Sequence, residues 1–134
     1  MRAGTLLLAA LAGATACVIG GQPGSYPPAQ SPAGVRVRIE LTRGNLAGEL
    51  LSADSAGLLV LTDTKRLLRV PFDVARLVEP RFGSPVEVPR TGERALERLG
   101  AVKRMSRFPQ GVSGELLEKL RAQYGQDSVV VVRR

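Results

Sequence analysis

The chain has 134 residues, with 19 Lys and Arg against 12 Asp and Glu, one Cys and no His. This length allows one small domain, or one domain with a helical appendage, and excludes two full-sized domains. The lack of His removes the commonest general base and metal ligand, and a single Cys cannot form an internal disulfide or a thiolate zinc site. The formal charge of +7 favours an acidic partner.

Residues 1–16 have the pattern of a secretory signal peptide. Arg2 provides a short basic region, residues 6–12 are apolar, and the segment ends in Ala14-Thr15-Ala16. The apolar run is shorter than the roughly 20 residues that a transmembrane helix needs. We therefore expect export of the chain across the inner membrane.

The single cysteine, Cys17, directly follows this Ala-Thr-Ala sequence. The arrangement resembles the lipobox of bacterial lipoproteins, in which the cysteine sulfur receives diacylglycerol and the cysteine becomes the mature N-terminus. The resemblance implies a lipid anchor at Cys17, and Val18 in place of Asp favours the periplasmic face of the outer membrane. The alternative is an ordinary signal peptidase site before Cys17, which would leave a free thiol and a periplasmic or secreted protein.

A tether is predicted over residues 17–34. From residue 18 onwards this segment carries no charged side chain and is rich in Pro, Gly and Ser. Such a composition cannot build a core and predicts a flexible chain. A lipid-anchored domain needs a spacer of this kind between the bilayer and the fold.

Short strands and tight turns dominate residues 35–80. Residues 35–42 alternate between apolar and polar side chains, which predicts a half-buried strand, and Gly44-Asn45 predicts a primed hairpin turn. Gly48 lies where a strongly bent second strand would exclude a side chain. Further strands are predicted at residues 46–53, 58–61 (apolar on both faces), 66–70 and 74–78. Five short strands with minimal turns predict a small, strongly bent β-barrel.

The residues around the first hairpin form a degenerate motif over residues 41–44 (Leu-Thr-Arg-Gly), residues 48–50 (Gly-Glu-Leu) and Asp54. This motif resembles the first signature of Sm-like barrels over about a third of the chain, and other SH3-like barrels share the pattern. The resemblance implies a homo-oligomer built by strand addition. Residues 57–58 (Gly-Leu) stand where RNA-binding members carry Asn, and residues 69–71 (Arg-Val-Pro) replace the second signature. An RNA pocket is therefore not expected.

Two helices are predicted over residues 91–125, after a proline-containing linker at residues 81–90. Thr91 is the expected N-cap of the first helix, which continues to about Met105. Helical spacing relates its apolar residues Leu96, Leu99 and Val102.

Ser113 is the expected N-cap of the second helix, and Gly125 is its expected C-terminal cap. Its apolar stripe is expected to pack within the chain, and a partner-docking surface is the alternative. This stripe contains Leu116, Leu117, Leu120 and Tyr124. Residues 126–134 are either an edge strand or a tail. The predicted class is thus α+β: a mainly β small barrel followed by a helical hairpin.

Basic side chains concentrate between residues 81 and 107. The candidate anion-binding residues are Arg90, Arg94, Arg98, Lys103, Arg104 and Arg107. Arg94 and Arg98 lie four apart and share a helix face, which suits a polyanion such as nucleic acid, lipopolysaccharide or anionic lipid. The alternative is a solvated helix face on which Glu93 and Glu97 pair with neighbouring arginines.

No residue pattern indicates catalysis, a cofactor or a metal site. Asp54 and Asp73 lie in predicted turns, where Asp commonly accepts backbone N–H bonds. None of the serines has a Gly-x-Ser-x-Gly context or a His partner. We expect a non-catalytic binding or structural module at the bacterial cell envelope, held to the membrane by lipid and bound to an envelope protein that the sequence does not identify. The second hypothesis is a periplasmic polyanion-binding protein that uses the Arg-rich segment.

Overall fold

The computed structural model describes residues 34–134, which form a seven-stranded mixed sheet with two helices. The strands are β1 Arg36–Leu41, β2 Asn45–Ala53, β3 Gly57–Thr62, β4 Leu67–Pro71, β5 Ala75–Pro80, β6 Val86–Glu87 and β7 Val130–Val131. The helices are α1 Ala95–Met105 and α2 Gly114–Gln123. The chain is therefore α+β, as predicted. The predicted signal peptide, Cys17 and all but the last residue of the predicted tether lie outside the described residues.

The strand order is β6-β5-β1-β2-β3-β4-β7, so β1 pairs with both β2 and β5. Neighbouring strands are antiparallel except β4 and β7, which pair in parallel through Leu68 with Val130 and Arg69 with Val131. Closure of the five predicted strands into a barrel would require β4 to pair with β5. Within residues 34–134 the sheet is open instead, because β6 extends it beyond β5 and β7 extends it beyond β4.

The last pair of the first hairpin is Glu40 with Asn45, which leaves four residues between the paired positions, and residues 42–44 lie outside both strands. The predicted two-residue turn at Gly44-Asn45 is therefore wrong, because Asn45 already belongs to β2. Gly44 has a φ of +79°, a left-handed conformation that glycine adopts without steric cost. The Leu41 N–H donates to the Gly44 carbonyl at 3.0 Å, which closes the loop and leaves Asn45 to begin β2.

A glycine and a bulge shape β2. A Cβ on Gly48 would lie 2.4 Å from the Leu61 carbonyl oxygen, so only glycine allows β3 to approach this closely. The pairing of β2 with β3 shifts register just before Ser52. Ser52 pairs with Leu59 and so lies on the same side of the sheet as Leu59. Leu59 packs in one cluster with Leu51, so the bulge places Leu51 and Ser52, which are neighbours in sequence, on the same side of the sheet.

Each face of the sheet has its own apolar cluster. The larger cluster packs beneath α1, which contributes Ala101, Val102 and Met105. The smaller cluster packs beneath α2 and consists of the buried residues Leu51, Leu59, Leu61, Leu67 and Leu120. Since β3 supplies residues to both clusters, its residues 58–61 are buried on both faces, as predicted.

The start of α1 differs from the prediction. The N-cap of α1 is Arg94, and its side chain makes no capping hydrogen bond. The predicted cap at Thr91 is therefore wrong. Gly92 has a φ of +131°, and its carbonyl accepts from the Ala95 N–H at 3.1 Å. The chain therefore makes an extra turn before the helix begins, and Leu96, which was expected on the apolar face, is 84% exposed.

Both predicted caps of α2 are present. The Ser113 hydroxyl accepts from the Leu116 N–H at 3.2 Å. Gly125 has a φ of +65°, and the Gln126 N–H donates to the Arg121 carbonyl at 2.9 Å, which completes a Schellman motif. The predicted apolar stripe of α2 packs on the smaller cluster, so it covers the sheet of its own chain.

Two segments outside the predicted barrel belong to the sheet. Val86–Glu87 form β6, and the Val88 N–H donates to the Arg76 carbonyl at 3.1 Å. Because the side chains of Val86 and Val88 fill the larger cluster, the prediction of a linker over residues 81–90 is wrong at this point. At the other edge of the sheet, β7 pairs with β4. Of the two possibilities for the C-terminal segment, an edge strand or a tail, the structure therefore has the edge strand.

Candidate functional site

Several of the candidate anion-binding residues are engaged within the fold. The Nη2 atom of Arg98 lies 2.5 Å from the Glu87 carboxylate on β6. The Nη2 atom of Arg90 donates to the Ala75 carbonyl at 3.1 Å. Arg107 forms an ion pair with a carboxylate on β2. These three guanidinium groups therefore have part of their hydrogen-bonding capacity satisfied by the domain itself.

The carboxylate that holds Arg107 belongs to Glu49 and joins three chain segments. Glu49 accepts from Arg107 Nε at 2.7 Å and from Nη2 at 2.5 Å, which is a bidentate geometry. It also accepts from the backbone N–H of Gly34 at 2.6 Å. The exposed fractions of the Glu49 and Arg107 side chains are only 20% and 19%. The hydrogen bonds that Arg107 donates to Glu49 raise the pKa of Arg107, and burial opposes this rise.

Backbone contacts complete this junction at the end of the predicted tether. The Val35 N–H donates to the Met105 carbonyl at 2.8 Å, and the Arg107 N–H donates to the Leu50 carbonyl at 3.0 Å. A Cβ on Gly34 would lie 2.1 Å from the Leu50 carbonyl oxygen, so the position requires glycine. Residues 34 and 35 are therefore held in a close-packed site between β2 and the end of α1.

The other basic candidates lie on two sides of α1. Arg94, Lys103 and Arg104 form no ion pair within residues 34–134. Arg94 and Arg98 share a face, as predicted, but that face lines a cleft against β6. Lys103 lies two helical turns from the exposed Leu96, on the side of α1 that faces away from the core. The six candidates therefore do not converge on one patch.

The local ion pairs predicted for α1 are also absent from this part of the chain. Within residues 34–134, Glu93 and Glu97 have no basic partner within ion-pair distance, and Arg98 reaches Glu87 on β6 instead. The sheet offers this partner because β6 runs beside α1, which the sequence pattern did not predict.

The turn role predicted for two aspartates holds for one of them. Asp54 Oδ1 accepts from the N–H groups of Ala56 at 2.8 Å and Gly57 at 3.0 Å, which stabilises the turn between β2 and β3. The Asp73 carboxylate lies 3.7 Å from Arg134, so it faces the C-terminal segment.

A polar cleft of about 390 Å³ opens between the sheet and the loop that precedes α2. Ser52 and Asp54 line it from β2 and the following turn, Arg69 from β4, and residues 110–113 from the loop. Ser52 is only 8% exposed. The sequence does not predict this grouping, because its members come from three distant segments. The one local signal is a single serine within the otherwise apolar residues 50–53.

Within the described part of the chain, no group of three or more His, Cys, Asp or Glu side chains is placed to hold a metal ion. Neither of the two helices between residues 34 and 134 has the length and apolar character needed to cross a membrane. No protein-family model matches the chain, and comparisons with curated proteins and with solved structures gave no significant match.

Proposed function

We propose that this chain is an exported, lipid-anchored and non-catalytic binding module of the bacterial cell envelope. The observation that carries the proposal is the junction at Gly34. There, a bidentate Glu49–Arg107 pair and a steric requirement for glycine fasten the end of the predicted tether to the fold. A domain held on a flexible tether needs such a fixed attachment, because otherwise the folded part would fray where it joins the tether.

The tether length sets how far such a domain reaches. Residues 17–34 would span at most about 60 Å when fully extended. As a flexible coil, the same segment would have an average end-to-end distance of about 20–25 Å. The domain would therefore work within a layer close to the anchoring bilayer, at the periplasmic face of the outer membrane in the proposed arrangement.

The relationship to Sm-like or SH3-like barrels is part of this proposal. It is supported by the succession of five short antiparallel strands, by the pairing of β1 with β5, and by the bend that Gly48 and the bulge allow in β2. On this proposal, β6 and β7 occupy the two edges that would otherwise meet to close a barrel. Assembly of copies by strand addition would then have to begin at β6 or β7.

The anchor is tested by Cys17→Ala in the full chain expressed in a Gram-negative host. We expect the wild-type protein in the membrane fraction with a diacylglyceryl group on Cys17 by mass spectrometry, and the variant in the soluble periplasmic fraction. Ser31→Ala, in the same predicted tether, is the matched control and should remain membrane-bound. Membrane association of Cys17→Ala, or a free thiol on the exported wild-type protein, would contradict the lipid anchor.

A second candidate function, polyanion binding, is favoured by the outer side of α1. Lys103 and Arg104 have no ion pair within residues 34–134, and the exposed Leu96 lies on the outer side with Lys103. An apolar side chain among basic ones suits an anionic lipid surface, because the leucine can enter the interface while the basic groups contact the headgroups.

Charge reversal tests this second function. Lys103→Glu combined with Arg104→Glu should lower the salt concentration at which the protein leaves anionic vesicles, since polyanion binding weakens steeply with ionic strength. Arg43→Glu combined with Arg66→Glu changes the net charge equally at exposed positions away from α1. Equal salt dependence of the two double variants would assign any binding to net charge and eliminate α1 as the site.

A further inference from the structure

The sheet ends at β7 in an edge with which no further strand of residues 34–134 pairs. β7 is the last strand in the order, and β4 is its neighbour on the other side. The Val132 N–H donates to the Arg69 carbonyl at 2.9 Å. Since successive residues of a strand direct their backbone groups to opposite sides, the Val131 N–H and carbonyl are directed away from β4. Val130 and Val131 are 40% and 45% exposed.

The opposite edge of the sheet is protected in ways that β7 is not. Pro85 and Pro89 flank β6 and have no N–H to donate, and Arg98 on α1 lies 2.5 Å from Glu87 within β6. The segment around β7 contains no proline and has four valines in succession at residues 129–132. β-Branched residues favour strand pairing. An incoming strand is therefore more easily accepted at β7 than at β6.

The charges that flank the four valines are self-complementary. Asp127 precedes the valines and Arg133 follows them. Both residues are exposed, and neither forms an ion pair within residues 34–134. If two copies of this segment pair antiparallel, the acidic end of each copy meets the basic end of the other, which is favourable. If they pair parallel, like charges meet instead, which is destabilising.

The direction of the backbone groups restricts the register of an antiparallel pair. Hydrogen-bonded partners must direct their N–H and carbonyl groups towards each other, and residues 129 and 131 have the required direction whereas residue 130 does not. Pairing of Val129 with Val131 of a second copy occurs twice by symmetry and gives about four interchain hydrogen bonds. The same register sets Val130 opposite Val130 of the second copy and Asp127 opposite its Arg133.

We propose that β7 is the contact surface of a homodimer, in which β7 of two copies pair antiparallel about a two-fold axis at Val130 and join the two sheets. Such a contact uses the same edge of both copies, so assembly stops at two. Because few residues take part, we expect the dimer to be weak in dilute solution and to form readily where copies are concentrated on one surface. The dimer goes beyond the proposed envelope function and does not require the lipid anchor.

Disulfide crosslinking tests the position of the two-fold axis. The full chain carrying Cys17→Ser is purified in mild detergent with either Val130→Cys or Val131→Cys. Each protein is oxidised with copper phenanthroline at about 0.5 mM, where an association of about millimolar strength is populated. In the proposed register, the two copies of residue 130 have Cα atoms about 4.5 Å apart, which suits a disulfide.

The two copies of residue 131 are diagonal neighbours in this register, about 7–8 Å apart, which is too far for a disulfide. We therefore expect Val130→Cys to form a linked dimer at least about tenfold faster than Val131→Cys. The comparison is matched, because the two valines are almost equally exposed and random collision would link both variants at similar rates.

Charge exchange tests the antiparallel direction. In the Val130→Cys chain, Asp127→Arg places two like-charged pairs across the contact and should slow crosslinking at least about tenfold. Addition of Arg133→Asp restores opposite charges and should return the rate close to that of the parent. Glu93→Arg, at an exposed position next to α1, changes the net charge as Asp127→Arg does and should leave the rate unchanged.

The dimer is overturned if neither cysteine crosslinks, if both crosslink at the same rate, or if Val131→Cys is the faster. Absence of rescue by Arg133→Asp also overturns it. The urea unfolding midpoint of each variant is compared with that of the parent, so that loss of crosslinking is not mistaken for unfolding. Because Cys17 is replaced throughout, the result does not depend on the lipid anchor, and failure of the dimer is distinguished from failure of the proposed function.

Discussion

Replacement of Glu49 by alanine removes the acceptor of three hydrogen bonds that join β2, Gly34 and Arg107. An exposed ion pair contributes about 0–1 kcal/mol, whereas loss of one partner from a fully buried pair costs about 3–5 kcal/mol. About four-fifths of each side chain is buried here, and after the substitution Arg107 can turn towards water. We therefore expect Glu49→Ala to lower the free energy of unfolding by about 2–3 kcal/mol.

Urea denaturation followed by far-ultraviolet circular dichroism is the appropriate assay, because the chain contains no Trp. The matched control is Glu79→Ala, which removes the partner of the largely exposed Arg38 and should cost less than about 1 kcal/mol. Combining Glu49→Ala with Arg107→Ala should reveal a coupling energy of about 1–2 kcal/mol. Equal unfolding midpoints for Glu49→Ala and Glu79→Ala, or a coupling near zero, would refute the structural role assigned to the junction.

Three further predictions follow from the packing and electrostatics. Leu120→Ala should cost about 2–4 kcal/mol because it leaves a cavity beneath α2, whereas Leu96→Ala should change stability by less than about 0.5 kcal/mol; similar losses in urea denaturation would show that α2 does not cover the sheet. The Gln126 side-chain amide accepts from the Leu67 N–H and donates to the Leu67 carbonyl in β4, so Gln126→Ala removes both hydrogen bonds and should cost about 1–2 kcal/mol. Amide hydrogen exchange in β7 should accelerate in the same variant. Unchanged exchange would disprove that the Gln126 side chain holds β7 against β4. A hydrogen bond from Arg36 lowers the pKa of Asp63, so this carboxyl should titrate below about 3.9 by NMR and return towards that value in Arg36→Gln. The stabilisation from this pair is present above the ordinary Asp pKa and is lost as the pH falls through the lowered one, so an unperturbed titration in the wild-type protein would exclude it.

The sequence predicted those elements whose pattern depends on residues that are close together in the chain. Alternation over residues 35–42 marks β1 because only one side of that strand is buried. The unbroken apolar run at residues 58–61 marks β3 because α1 and α2 cover opposite faces of the sheet. Ser113 and Gly125 are recognisable as caps because capping depends on residues within one turn of the helix end.

Features that depend on distant residues could not be predicted in this way. β6 contributes two residues within a proline-containing segment, which is too short to show a period. The stripe of α1 that is buried is chosen by the sheet beneath it, so Leu96 is exposed although its spacing suits a core position. Glu49 and Arg107 lie 58 residues apart, and only the fold shows that they meet.

The parallel pairing of β7 with β4 determines the order in which the domain can be completed. Gln126 and its partner Leu67 are 59 residues apart, and contacts of such long range form late because a large loop must close first. Until then, the outer edge of β4 presents unpaired backbone groups, which are a template for pairing with another chain. Pairing of β7 covers this edge of β4 and would thus protect the domain against self-association during folding.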